Sequence, residues 1–99
     1  MGEHLYILQS KGSGAIKVGR SSDPEQRLQQ LQTGSSNELR LILFARTFGR
    51  HEKRVHHDLR KFRLKGEWFS ELSIGSIPID IWEHTISWYQ EDPDWWKRV

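Results

Sequence analysis

The sequence predicts a small α+β domain in which a three-stranded antiparallel sheet is flanked by helices. Two observations support this class. Two short apolar runs joined by a glycine-containing loop stand near the start, and later segments repeat apolar residues at helical spacing. The chain has no internal repeat, low-complexity stretch or linker. We therefore expect one domain over residues 1–99, with the element order β-β-α-β-α followed by a C-terminal helix.

The first two elements are predicted to be strands. His4 to Gln9 is largely apolar, and Ala15 to Gly19 forms a second short run. Between them, Lys11–Gly14 contains two glycines. Short strands joined by such a loop form an antiparallel hairpin.

A first helix is predicted to begin at Ser21-Ser22-Asp23-Pro24. A serine or aspartate can cap a helix, and proline suits the first turn. Leu28 and Leu31 supply an apolar side, and Gly34 ends the helix.

The second half of the chain predicts one more strand and two more helices. Leu39 to Phe48 is rich in Leu, Ile and Phe and predicts the third strand. A second helix is expected from about Gly49 to Phe62, and Gly66–Phe69 is expected to turn the chain. A third helix is predicted from Pro78 to about Tyr89, because apolar residues recur there at spacings of three and four.

The aromatic residues divide into two groups. We expect Trp68, Phe69 and Trp82 to be core residues; the alternative is a stacking platform. Three further tryptophans lie in acidic surroundings near the end of the chain and are less easily buried: Trp88, Trp95 and Trp96. We expect the segment 76–99 to consist of the third helix and a Trp-rich tail, which packs on the core or forms a homodimer contact.

The overall composition excludes several classes of protein. The sequence has no cysteine, so it forms neither disulfides nor thiolate metal sites. It shows no secretory signal and no apolar stretch of about 20 residues, so we expect a cytoplasmic protein with no membrane partner.

Charge is distributed unevenly along the chain. Residues 40–65 contain nine Lys or Arg against two acids, and residues 66–99 contain two against seven. A dense basic block indicates a polyanionic partner, because clustered cations release counterions from a phosphate backbone. The alternative is a solvated face that the acidic C-terminal part neutralises.

Several short motifs occur in a fixed order between residues 4 and about 70. They are Tyr6-Ile7-Leu8, Ile16-Lys17-Val18-Gly19-Arg20-Ser21, Arg27-Leu28, Glu52-x-x-x-His56 and Gly66-Glu67-Trp68-Phe69. Together they resemble the GIY-YIG nuclease superfamily, in a compact phage and bacterial branch. Lys17 stands where that superfamily has its second tyrosine.

The resemblance implies a metal-dependent DNA endonuclease and assigns its site. The implied catalytic residues are Tyr6, Lys17, Arg27, Glu52 and His56, with Glu52 as ligand of Mg²⁺ or Mn²⁺. We expect DNA to be contacted by cations on the basic surface: Arg20, Arg50, Lys53, Arg54, Arg60 and Lys61. Whether single- or double-stranded DNA is bound stays open.

Tyr6 and Lys17 are expected to face each other across the hairpin. The resemblance assigns Tyr6 the role of base, but a phenol with a pKa near 10 is too weakly acidic for this unaided. An ammonium at Lys17 would lower the pKa of Tyr6 by favouring the phenolate. The alternative is a half-buried strand tyrosine beside a surface lysine.

Arg27, Glu52 and His56 each fit a role in phosphodiester hydrolysis. Arg27 can clamp phosphate oxygens with its guanidinium; its alternative is an ion pair with Asp23. A carboxylate with waters and phosphate is a typical Mg²⁺ site, which suits Glu52. His56 lies one turn after Glu52 and either orients that carboxylate or contacts DNA. A zinc protease motif is excluded, because His51 and His56 are five residues apart instead of four.

Two questions stay open in the sequence: the role of Glu67 and the choice between competing functions. Glu67 either supports the site or hydrogen-bonds nearby backbone. The first alternative function is a catalytically inactive DNA-binding module of the same fold. The second is a protein-interaction domain that uses the Trp-rich acidic tail.

Overall fold

A computed structural model describes residues 3–83. The α+β class is confirmed, but the sheet has five strands where three were predicted. All paired strands run antiparallel, in the order β3-β1-β2-β5-β4. The strands are β1 (His4–Ser10), β2 (Ile16–Ser21), β3 (Leu39–Ala45), β4 (Arg63–Lys65) and β5 (Trp68–Phe69). The α-helices are α1 (Pro24–Thr33), α2 (Glu52–Asp58) and α3 (Ile79–Glu83).

The two additional strands come from a segment predicted to be the end of a helix and a turn. β4 has three residues and β5 has two, so neither is long enough to show the alternation by which strands are recognised. Gly66 has a φ of 56°, a left-handed conformation that glycine adopts without strain, and it turns the chain between them. The result is a short hairpin that extends the sheet beyond β2.

The β1–β2 hairpin is formed as predicted, with a different side-chain pairing from the one expected. Tyr6 lies opposite Gly19, and Lys17 lies opposite Leu8. The prediction that Tyr6 and Lys17 are directly opposite is therefore wrong. The two residues still share one face of the sheet, because positions two apart on a strand point the same way.

Helix α1 confirms the predicted start and end. Asp23 caps it by accepting a hydrogen bond from the backbone N–H of Gln26 at 3.2 Å, and Pro24 occupies the first turn. Gly34 ends the helix, donating its N–H to the carbonyl of Gln32.

The predicted third strand and second helix are both shorter than expected. β3 ends at Ala45 and is followed by Thr47 at a φ of 61°, a left-handed conformation that breaks strand geometry. The region from Gly49 to Phe62 is divided into a 3-10 turn at Gly49–His51, helix α2 and a second 3-10 turn at Arg60–Phe62.

The third predicted helix is observed over Ile79–Glu83. Its expected continuation to Tyr89 lies outside the described residues, as do Trp88, Trp95, Trp96 and the predicted homodimer contact. Within residues 3–83, no helix combines the length and apolar character that crossing a membrane requires.

Two apolar clusters cover the two faces of the sheet. One joins β1, β2 and β3 to α2 and α3 through Ile7, Val18, Val55, Leu59 and Ile81. The other packs α1 on the opposite face and includes Tyr6. Phe69 is a fully buried core residue, as predicted, whereas Trp68 and Trp82 are half-buried at the margins of the clusters. The candidate site takes Tyr6 and Lys17 from the face under α1 and Arg27 from α1 itself, whereas Glu52 and His56 come from α2, which packs on the other face.

Candidate active site

Tyr6 occupies the centre of the candidate site, where its ring lies over Gly19. A Cβ atom added to Gly19 would come within 2.4 Å of both the phenol oxygen and the ring carbon that carries it. The ring is buried, with 2% of the residue exposed. Gly19 is thus a site residue that the sequence analysis did not identify, because only the strand register shows which side chain covers it.

Arg27 comes to this ring from the first turns of α1. Its guanidinium hydrogen-bonds the Tyr6 phenol, and the guanidinium also lies 3.5 Å from the side-chain oxygen of Gln30. Asp23, the expected alternative partner, is used as the helix cap. The arrangement gives a cation and a phenol side by side, with Arg27 exposed to solvent.

The pKa of Tyr6 is raised above its ordinary value of 10.0. Burial is the largest cause, and the negative charges of Glu67 and Glu52 add to it; the hydrogen bond and charge of Arg27 act in the opposite direction. The expectation that Lys17 would lower this pKa is therefore wrong. The phenol is neutral at physiological pH.

Lys17 is engaged by Glu67 instead. Its Nζ lies 3.0 Å from the Glu67 carboxylate, and its side chain is only 12% exposed. The same ammonium lies 5.7 Å from the centre of the Trp68 ring, within cation–π range. Because Glu67 offsets its charge, Lys17 has little effect on the phenol.

Glu52, His56 and Glu67 form a cluster in which one ligand atom from each lies within 4.8 Å of the others. Glu52 and His56 stand one turn apart on α2, and Glu67 lies in the turn between β4 and β5. The backbone of Glu67 is held to the sheet, since its carbonyl accepts a hydrogen bond from the N–H of Val18 at 3.2 Å. Glu67 therefore supplies both of the alternatives that the sequence left open, a backbone contact and a carboxylate at the site.

His56 is oriented by the sheet. Its Nε2 lies 2.9 Å from the carbonyl oxygen of Val18, and its ring packs edge-on against Phe69. A carbonyl oxygen only accepts, so Nε2 carries the hydrogen and the lone pair of the neutral ring is on Nδ1. This is the tautomer arrangement by which histidine ligands are fixed in metal sites.

The cluster fits a divalent cation. Two carboxylate oxygens and one imidazole nitrogen suit Mg²⁺ or Mn²⁺ with water completing the shell. In an octahedral Mg²⁺ shell with bonds of about 2.1 Å, adjacent ligand atoms lie about 3 Å apart and opposite ones about 4.2 Å apart. The three side chains must therefore draw closer together to bind one ion. Glu67 would then be shared between the cation and Lys17.

The predicted DNA-contacting cations are all exposed. Four of them, Arg20, Arg50, Arg54 and Arg60, also make polar contacts within the chain. Arg20 lies 3.4 Å from Glu3 and 4.0 Å from Glu52, Arg54 bonds to Asp80 at 2.6 Å, and Arg60 donates to the carbonyl of His57 at 2.8 Å. The Arg54–Asp80 pair is one instance of neutralisation of the basic block by the acidic part of the chain.

Arg50 and the other two predicted cations lie in helix α2 or in the 3-10 turns on either side of it. Arg50 packs its guanidinium 5.4 Å from the centre of the Phe48 ring and donates to the carbonyl of Thr47 at 3.0 Å. Lys53 is exposed in the first turn of α2, next to Glu52. Lys61 is exposed in the 3-10 turn that follows α2.

The family model that matches the chain is that of the T5orf172 domain, over residues 3–90. This match corrects the resemblance to the GIY-YIG superfamily, since T5orf172 is a different domain family. The T5orf172 domain is associated with nuclease-like and DNA-binding functions. No curated protein and no solved structure gives a significant match.

Proposed function

The chain belongs to the T5orf172 domain family, and from that membership and the site geometry we propose that it is a metal-dependent endonuclease that hydrolyses phosphodiester bonds in DNA. One observation carries the proposal: the Tyr6 phenol is paired with Arg27 and lies close enough to Glu52 and Glu67 for their charges to raise its pKa, and these two carboxylates belong to the Glu52–His56–Glu67 cluster. A cation next to a possible metal position is what a phosphodiester needs, because negative charge grows on its oxygens as water attacks.

The acidic cluster would hold Mg²⁺ or Mn²⁺ through Glu52, His56 and Glu67. Such an ion polarises the phosphoryl group and makes a bound water more acidic. Glu52 is the best placed of the two carboxylates, because its side chain is only 15% exposed and water competes less with a buried ligand.

Arg27 binds the non-bridging oxygens of the phosphate. Its exposed guanidinium offers several N–H donors in a planar fork, so it keeps its bond to the phenol while it contacts the substrate. Lysine has no such fork, and Arg27→Lys would lose one of these contacts.

Tyr6 acts as a neutral hydrogen-bonding group. With its pKa raised, it is not a base at physiological pH. Its hydroxyl instead orients the attacking water or donates a hydrogen to the leaving alkoxide oxygen. Gly19 leaves the space that the phenol occupies.

The test is cleavage of supercoiled plasmid and of single-stranded circular DNA with Mg²⁺, Mn²⁺ or EDTA. We expect nicked or linear products only with metal. Glu52→Gln should lower the rate by more than about a hundredfold, since changes outside the ligand shell alone cost about 10- to 100-fold. Glu38→Gln is the matched control, because this carboxylate pairs with Lys11 on the hairpin loop.

Two results would contradict the proposal. One is intact DNA under every metal condition, and the other is equal cleavage by wild type and Glu52→Gln. Salt-dependent DNA binding without cleavage would identify the alternative, an inactive DNA-binding module. The Lys17–Glu67 ion pair is the observation that favours this alternative, because it occupies two of the site's charged groups with each other.

A further inference from the structure

A groove of about 260 Å³ opens beside the candidate site, on the same face of the sheet. Three segments border it: the β1–β2 loop, the loop after α1 and the β4–β5 hairpin. Its apolar walls come from Leu39, Leu64 and Trp68, and its polar groups include Ser10, Ser13 and Asn37.

The groove is joined to the active site through one side chain. Trp68 lines the groove and pairs with Lys17 in the β2–β5 register. The Lys17 ammonium lies 5.7 Å from the Trp68 ring centre and 3.0 Å from the Glu67 carboxylate. A ligand that reaches from the phosphate position into the groove therefore passes Lys17 and lies along Trp68.

The lining has the character of a site for a flat aromatic molecule with polar edges. Trp68 is half-buried, which fixes its ring, and Leu64 is 62% exposed on an edge strand. Ser10 is 4% exposed, and its buried hydroxyl has no hydrogen-bond partner among residues 3–83. Buried polar groups are normally paired, so this hydroxyl is available to a ligand or a water molecule in the groove.

We propose that this groove binds the base of an unpaired nucleotide next to the phosphate that is cleaved, stacked along Trp68. The inference rests on the proposed function and specifies its substrate as single-stranded or locally unpaired DNA. A base inside a duplex is paired and stacked, so it must leave the helix before it can enter such a groove. Lys17 lies where the connecting backbone would pass, and its ammonium, although paired with Glu67, has further N–H groups that donate hydrogen bonds to phosphate oxygens.

The experiment measures DNA binding in EDTA, so that it depends on neither metal nor cleavage. Labelled oligonucleotides are compared by fluorescence anisotropy as a single strand, as a hairpin duplex of the same sequence and as a strand of abasic nucleotides. We expect Trp68→Ala to weaken single-strand binding about 5- to 150-fold, the effect of losing one stacked base. The affinity for the duplex should change by less than about twofold, because Trp68 would lie outside the core of a duplex interface, where substitutions have small effects.

Two variants and one substrate separate stacking from loss of fold. Trp68→Phe keeps an aromatic face and should retain most of the affinity. Trp82→Ala is the matched control, since Trp82 is half-buried against the cluster on the opposite face. Wild type should discriminate against the abasic strand, and Trp68→Ala should not.

Equal weakening of single-strand and duplex binding by Trp68→Ala would overturn the proposal. So would equal binding of abasic and intact strands by wild type, a result that requires no variant to fold. If neither plasmid nor single-stranded circular DNA is cleaved while the abasic discrimination is observed, the endonuclease proposal is wrong and the assignment of the groove as a base-binding site stands.

Discussion

Gly19→Ala is the sharpest test of the site geometry. The glycine is buried and its φ is outside the left-handed region, so alanine meets no backbone strain there. Its Cβ would nevertheless lie 2.4 Å from the Tyr6 phenol oxygen, where ordinary contact begins at 3.4 Å. The phenol must therefore retreat by about 1 Å, and overpacking of this kind costs about 1–3 kcal/mol of unfolding free energy.

The functional loss should exceed the loss of stability. A misplacement of about 1 Å can cost about a hundredfold in rate, so Gly19→Ala should cut plasmid at about a hundredth of the wild-type rate. Stability is measured by urea unfolding followed by circular dichroism, at a concentration and pH shared by all variants. Gly75→Ala is the matched control, because a Cβ at Gly75 meets nothing within 4 Å.

A double-mutant cycle shows whether the clash is with Tyr6. In a Tyr6→Leu background the aromatic ring is absent, so the cost of Gly19→Ala should fall by at least about 0.5 kcal/mol, the lower limit for residues in contact. If Gly19→Ala matches Gly75→Ala in both stability and cleavage, the placement of the ring over Gly19 is refuted.

Three further predictions follow from the charged groups. The folded-state pKa of Tyr6 is raised above 10.0, so the neutral phenol contributes its full stabilisation below pH 10 and loses it as the pH rises through the folded-state pKa. In urea unfolding across alkaline pH, wild type should therefore lose more stability than Tyr6→Phe above pH 10. Lys17→Met frees Glu67 from its ion pair and should raise the affinity for Mn²⁺ by up to about fivefold in calorimetric titration, which corresponds to the strength of a partly exposed ion pair. Unchanged or weaker Mn²⁺ binding would argue against Glu67 as a ligand. Asp80→Asn frees Arg54 from its ion pair, and the plot of log affinity for duplex DNA against log salt concentration should steepen by about 0.9, the change expected for one additional phosphate contact. An unchanged slope would place Arg54 away from DNA.

Local signals in the sequence were sufficient for some elements and insufficient for others. Helix α1 was predicted from its cap and its terminating glycine, both of which act within one turn of the chain. Strands β4 and β5 could not be predicted, because they are stabilised by pairing with β2 and with each other, contacts that no short window of sequence contains. The breaks of the second predicted helix at His51 and Leu59 likewise have no glycine or proline to mark them in the sequence.

The same distinction applies to the site. Glu52 and His56 were recognisable as neighbours, because four residues make one turn of a helix. The electrostatics of Tyr6 were not predictable, since they depend on burial under α1 and on Arg27 instead of Lys17. Glu67 could be singled out only as an alternative, because its approach to α2 requires a hairpin that the sequence pattern does not show.

The β4–β5 hairpin carries part of the site and has the shortest strands of the sheet. It joins β2 through only two residue pairs, and β4 is exposed at the sheet edge. Short, exposed ladders of this kind open by themselves at a lower free energy than the whole domain unfolds. One such opening would remove Glu67 from the cation position and Trp68 from the groove together. Metal and DNA that bind only the closed form would hold the hairpin shut, so hydrogen exchange at Trp68 and Phe69 should slow in proportion to ligand occupancy while exchange in β1 stays constant.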